Sequence, residues 1–127
     1  MTITWLPNHV VQVEINRGPN NHFDQALISD MADSFERLDQ DDRCRAIVLC
    51  SAGKHFCAGA NFGSATRSEE QKARTMENPN PLYKEAVRLF DCKTPVIAAI
   101  QGAAVGGGLG LAVMADFRIV CPDTRMT

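Results

Sequence analysis

The chain has 127 residues, 45% of them apolar, and a formal net charge of −2 with acids and bases interspersed. That length fits one domain with an ordinary soluble core. The even charge balance excludes a basic nucleic-acid arm and a polybasic membrane patch.

The N-terminal Met1-Thr2-Ile3-Thr4-Trp5 lacks both the basic and the apolar region of a secretory signal, so none is expected. The five cysteines, Cys44, Cys50, Cys57, Cys92 and Cys121, are odd in number and contain no CxxC pair. Most sit in apolar, strand-like contexts, as reduced buried cysteines of a cytoplasmic protein do. No His/Cys/Asp cluster has metal-ligand spacing, and no metal is expected.

Two short β segments open the chain: Ile3 to Leu6, then, after the turn cluster Pro7-Asn8-His9, Val10 to Asn16. In the second, Val11, Val13 and Ile15 face one side and Gln12 and Glu14 the other. Trp5 reads as ordinary packing. Gly18-Pro19-Asn20-Asn21 forms a loop. Asp24 is placed to cap a helix whose apolar positions Leu27, Met31, Phe35 and Leu38 recur at helical spacing. Asp39 to Arg45 is a polar connection.

Ala46 to Cys50 is wholly apolar and reads as a strand buried on both faces. After Phe62 comes a charged stretch, Gly63 to Asn78, read as a mobile or partly helical flap. Leu82, Ala86, Leu89 and Phe90 mark an amphipathic helix. Val96 to Ile100 is a third buried strand, running into the glycine cluster Gly102 to Gly110 and a helix ending at Ala115. Phe117 to Cys121 is the last strand, and Pro122-Asp123 starts a turn. Val96 to Ala115 carries no charge and repeats glycine at 102, 106 and 110, the pattern of a membrane span with a dimerisation face. Its alanines and glycines make it too weakly hydrophobic, and no membrane span is expected. The order ββ-α-β-α-β-α-β predicts an α/β fold.

Two glycine-bearing loops follow buried strands: His55 to Phe62, and Gly102 to Gly110. In a parallel α/β arrangement both lie at strand C-terminal ends, where such folds place ligands. One N–H from each, Ala60 and Gly107, can converge on a single oxygen and stabilise an oxyanion or enolate; the alternative is that the glycines serve only tight turns and close packing. A Walker loop needs Lys-Ser/Thr where Leu109-Gly110-Leu111 stands, and a Rossmann fingerprint needs glycine where Leu111 stands, so neither fits.

Ala58-Gly59-Ala60-Asn61 after Phe56, together with Gln101-Gly102-Ala103-Ala104-Val105-Gly106-Gly107-Gly108 and Ala115-Asp116-Phe117-Arg118-Ile119, resembles the crotonase (enoyl-CoA hydratase/isomerase) superfamily. Asn16-Arg17-Gly18-Pro19 is similar to the family's segment after its second strand. The resemblance implies a crotonase-like spiral of ββα turns, here truncated, with residues 1–127 forming the N-terminal part of a single acyl-CoA-binding domain and the C-terminal part absent.

It further implies a coenzyme A thioester as substrate, no separate cofactor, and assembly as a trimer or a dimer of trimers. By motif position Ala60 and Gly107 supply the two N–H donors. Ala58, Asn61, Phe62 and Gly63 line the acyl-CoA path, and Asn20 and His22 lie near the nucleotide end. Arg17, Lys54 and Arg67 read as solvated charges rather than phosphate ligands.

Gly110 stands where the family's hydratases carry a glutamate, and their second glutamate falls beyond Thr127. Glycine transfers no proton, so isomerase or other one-base chemistry is expected over two-carboxylate hydration. A non-catalytic remnant that keeps the acyl-CoA cradle is the alternative. Glu69 and Glu70 read as solvated, Asp116 as a structural hydrogen-bonding residue, and Cys57 as lacking an activating histidine.

Overall fold

In the computed structural model, residues 1–60 and 81–127 are described. The stretch from Gly63 to Asn78, with Arg67, Glu69 and Glu70, lies outside them, as do Asn61, Phe62 and Gly63.

The first hairpin pairs β1 (Thr2–Leu6) antiparallel to β2 (Val10–Ile15), with Leu6 opposite Val10. The reversal uses left-handed backbone at Asn8 and His9, both at φ 64°. Asparagine tolerates that region because its short amide bonds locally. The loop after β2 leads to α1 (Gln25–Asp39), and the Asp24 carboxylate accepts the Leu27 N–H at 2.9 Å as its N-cap. The Arg17 guanidinium, 2.5 Å away, holds the Asp24 carboxyl below its ordinary range.

Next come β3 (Ala46–Ser51), α2 (Pro81–Arg88) closed by a 3-10 turn at Leu89–Asp91, and β4 (Val96–Ile100). The chain continues through β5 (Ala103–Ala104), α3 (Gly107–Met114), β6 (Phe117–Val120) and β7 (Arg125–Met126). The described strands form a five-stranded sheet in the order β1-β2-β3-β4-β6, parallel from β2 onward, and a two-stranded parallel pair β5-β7. This is the α/β order read from the sequence. The two-residue strands are the addition, and their pattern is too short to register as a period.

One face of the sheet carries the core. Val11, Val13, Ile15, Ile47, Leu49, Val96, Ala98 and Ile100 are buried in one cluster with Leu27, Ile28, Met31, Phe35 and Leu38 of α1. Burying each large apolar side chain contributes about 1.5–3 kcal/mol.

β3, expected to be buried on both faces, and β4, expected to be a buried strand, are each fully buried on one face only. Ile47 and Leu49 alternate with half-buried Val48 and Cys50, and Val96 and Ala98 with half-buried Ile97 and Ala99. Register extends that second face to Phe117 and Ile119 of β6, which are 64% and 66% exposed. A wholly apolar run does not report which of its faces is covered. Trp5 is also not packed inside: it is 44% exposed, with the Arg43 guanidinium 4.8 Å from its ring centre, a cation–π contact. Of the cysteines, Cys44 and Cys57 are buried, Cys50 and Cys92 half-buried and Cys121 exposed; all are free thiols.

Asp39 joins the end of α1 to the start of β4. Its carboxylate accepts the Lys93 N–H at 3.0 Å, the Thr94 N–H at 2.6 Å and the Thr94 hydroxyl at 2.7 Å. Partial burial pushes its pKa up, but these donors outweigh burial and hold it below the ordinary value. With the folded pKa depressed, the contribution is complete above the unfolded value near pH 4 and is lost as pH falls through the folded value. Asp39→Asn is expected to cost about 1–2 kcal/mol at pH 7. It should also flatten the decline in stability below about pH 4, as measured by urea unfolding across a pH series.

Candidate functional site

The site is built where two loops meet edge to edge. The Cys57 N–H donates to Ala103 O and the Val105 N–H to Cys57 O, both at 3.0 Å, so Cys57 and Ala104 form a parallel bridge. One residue earlier the Phe56 N–H donates to Gln101 O at 3.0 Å. A third loop joins from the other side, where the Phe23 N–H donates to Gly59 O at 2.9 Å and the Ala58 N–H to Asn20 O at 3.0 Å.

Two glycines make the approach possible. A Cβ on Gly108 would lie 2.2 Å from Cys57 O, and one on Gly59, at φ +87°, would lie 3.1 Å from Val105 O. Main chain therefore meets main chain with no side chain between.

Asn21 secures the third loop. It is fully buried at φ 50°; its side-chain N–H₂ donates to Ala52 O and His55 O, and its side-chain oxygen accepts the Arg17 N–H, all at 2.8 Å. The sequence reading named its neighbours Asn20 and His22 and passed over Asn21. Gly-Pro-Asn-Asn identifies a loop but not which asparagine turns inward.

Beyond the junction lies a cavity of about 420 Å³, a size suited to a small-molecule ligand. Ala60, Gly106, Gly107 and Gly110 line one side, and Phe23, Leu111 and Met114 continue it. Leu82, Tyr83, Ala86, Leu89 and Phe90 form the wall contributed by α2 and its 3-10 turn. Ala60 and Gly107 thus share one cavity. Among the described hydrogen bonds, neither the Ala60 N–H nor the Gly107 N–H has an acceptor.

Gly107 opens α3 after the Gly106 N-cap, so its N–H belongs to the positive end of a helix. At the other end, the Arg118 guanidinium donates to Ala115 O at 2.7 Å and to Ala112 O and Val113 O at 3.3 Å. Arg118 thus takes up carbonyls at the C-terminal end, while at the other end the Gly106 and Gly108 N–H groups donate to Thr127 O and Val105 O and the Gly107 N–H is left over among the described hydrogen bonds. Asp116, read as structural, accepts the Val96 N–H at 2.8 Å and ties α3 to the start of β4.

The remaining sequence candidates lie elsewhere. Ala58 commits its N–H to Asn20 O, and the His22 ring lies 3.1 Å from Gly59 O. Ala58, Asn20 and His22 are not among the cavity-lining residues. Arg17 is engaged with Asp24. Burial raises the Cys57 thiol above its ordinary value, so it stays protonated and unreactive at neutral pH. Phe23 and Tyr83 were not foreseen as lining residues: the first lies in a loop and the second on the polar flank of an amphipathic pattern.

No carboxylate lines the cavity among the described residues, and a Cβ on Gly110 would meet nothing within 4 Å. The two helix glycines should therefore respond oppositely. Gly108→Ala forces a side chain into the Cys57 carbonyl and is expected to cost about 2 kcal/mol or more. Gly110→Ala is expected to stabilise by about 0.5–1 kcal/mol, both read from urea midpoints at constant m-value.

A family profile described as enoyl-CoA hydratase/isomerase matches residues 6–127. The mitochondrial Delta(3,5)-Delta(2,4)-dienoyl-CoA isomerase of Homo sapiens is 31% identical over 97% of this chain and 40% of its own length. The bacillaene synthase decarboxylase PksI of Bacillus subtilis is 31% identical over 96% of this chain and 47% of its own length. A crystal structure of enoyl-CoA hydratase subunit I from Geobacillus kaustophilus superposes with a TM-score of 0.82 at 25% identity, covering 98% of this chain and 48% of that one. The chain spans about half the length of the proteins it matches. With the paired glycine loops and this architecture, the chain belongs to the enoyl-CoA hydratase/isomerase family, the crotonase superfamily that its motifs resemble.

Proposed function

We propose that this protein is an acyl-CoA enzyme that polarises a thioester carbonyl between the Ala60 and Gly107 N–H groups and stabilises the enolate formed when a carbon-bound proton is removed. The observation that carries the reading is the shared cavity with both donors turned from any partner among the described residues. Two donors fixed in advance at one oxygen need no reorganisation as charge develops. A single donor of this kind contributes about 3–4 kcal/mol to transition-state stabilisation. The apolar lining supports the reading, because low polarity strengthens each donor's interaction with the oxyanion.

Acid/base chemistry separates the possible reactions. Hydration by two carboxylates requires one to handle water and one to handle the α-carbon proton, and Gly110 supplies neither. One-base chemistry is therefore favoured: one base from outside the described lining takes a proton from one carbon, the charge rests on the thioester oxygen, and the same base returns the proton at another carbon. Among the relatives, one is named an isomerase and one a decarboxylase, both compatible with a held enolate, while others are named hydratases.

Assembly as a trimer or a dimer of trimers, in the cytoplasm, belongs to the same proposal; the exposed apolar residues Phe117 and Ile119 call for cover, from partner chains or from the rest of a longer chain. Among the described residues no helix is long and apolar enough to cross a membrane. The second reading, an acyl-CoA cradle without turnover, is favoured by the lack of a lining carboxylate among those residues.

The test uses the intact natural protein with thioesters carrying a ¹³C carbonyl. A lower carbonyl stretching frequency on binding, together with solvent deuterium entering the α-carbon, is the expected result. Binding with an unshifted carbonyl would overturn the oxyanion assignment, and binding with a shift but no deuterium uptake or turnover would select the cradle. Hydration of crotonyl-CoA faster than about 1 s⁻¹, an ordinary enzyme rate, would overturn the one-base preference.

A further inference from the structure

One wall of the cavity is held in place by charge as well as by partial burial. Helix α2 and its 3-10 turn contribute Leu82, Tyr83, Ala86, Leu89 and Phe90 to the lining, yet no residue within Pro81–Arg88 is fully buried. Leu82 and Ala86 are half-buried, while Tyr83 and Phe90 are 66% and 67% exposed. Leu89, just past the helix, is the buried anchor. Leu82 and Ala86, one turn apart on the inner face of α2, pack against the core but stay only half-buried, so apolar contact alone holds the helix lightly.

Arg88 adds a directional constraint. Its Nε and Nη2 donate to the two carboxylate oxygens of Glu36, both at 2.8 Å, and Nη2 also donates to Asp33 Oδ1 at 2.6 Å. Nη1 donates to Glu85 on α2 itself. Asp33 and Glu36 lie one turn apart on the solvent side of α1, opposite the stripe that α1 buries against the sheet. One planar guanidinium therefore binds the end of α2 to a rigid helix in two directions. A lysine ammonium lacks the fork needed for this geometry.

We propose that Arg88 is a positioning residue that fixes the α2 wall of the apolar cavity and thereby sets the acyl chain length the cavity holds. The chain-length part rests on the acyl-CoA reading above. The clamp itself does not. Residues of α2 line the same cavity as Ala60 and Gly107 but belong to a separate element, so movement of this wall would change the space for the distal acyl chain and leave the carbonyl's donors in place.

The experiment pairs two readouts on the intact protein and its Arg88→Met and Arg88→Lys variants. In hydrogen exchange, loss of these partly exposed pairs predicts about tenfold faster exchange across residues 81–91 in Arg88→Met. Exchange in β3 and β4 should stay unchanged, and Arg88→Lys should fall between. Wild type in 1 M salt should show the same selective loosening, which needs no variant to fold.

In calorimetry, octanoyl-CoA should bind Arg88→Met about tenfold more weakly, while butyryl-CoA changes by less than about threefold. Unchanged protection over residues 81–91 would overturn the clamp. Equal weakening of both thioesters would overturn the chain-length role. If wild type binds no thioester at all, the acyl-CoA reading and the chain-length role fall together, and the exchange data still decide the clamp.

Discussion

Everything at the candidate site depends on the contact between two loops at Cys57 and Ala104. The hydrogen bonds there join segments that end different strands, and they hold at 3.0 Å because Gly108 carries no side chain toward the Cys57 carbonyl. A strand end and a helix start are thereby set side by side. Their next available N–H groups, on Ala60 and Gly107, then line the same cavity. No side chain need be placed with accuracy, because the sheet register positions the main chain.

The distribution of charge follows from that arrangement. Polarity inside the site comes from the backbone and the end of α3, while formal charges are kept to its periphery. Arg118 satisfies the carbonyl end of α3 and Asp116 secures the neighbouring strand. Arg17 and Asp24 pair at the start of α1. Cys57, directly behind the junction, is held neutral by burial. A negative side chain near the two donors would compete with a developing oxyanion, and among the described lining residues there is none.

The sheet has two unlike faces. Toward α1 it presents a closed aliphatic core, and on the other side a row running from Gln12 through Val48 and Ile97 to Phe117 grades from polar to apolar. The described residues cover the first face fully and the second only in part. That asymmetry explains why strands composed almost wholly of apolar residues still show alternating burial.

Local pattern alone was enough for most of the scaffold. Leu27, Met31, Phe35 and Leu38 recur every three or four residues, so α1 and its Asp24 cap were legible; period-two alternation marked β2, and apolar runs after turn residues marked β3 and β4. The two glycine loops could be placed at strand ends because the succession of strand, loop and helix follows from residue order, and Ala60 and Gly107 from those loops line one cavity.

Tertiary structure decided the rest. It chose Asn21 over Asn20 as the buried staple, brought Phe23 and Tyr83 to the cavity, left one face of β3 and β4 partly open, stacked Arg43 on Trp5, and paired Ala103–Ala104 with Arg125–Met126. Each of these depends on which distant segment arrives next to the residue. A periodic pattern encodes the direction a side chain takes from its own backbone, not the partner that meets it there.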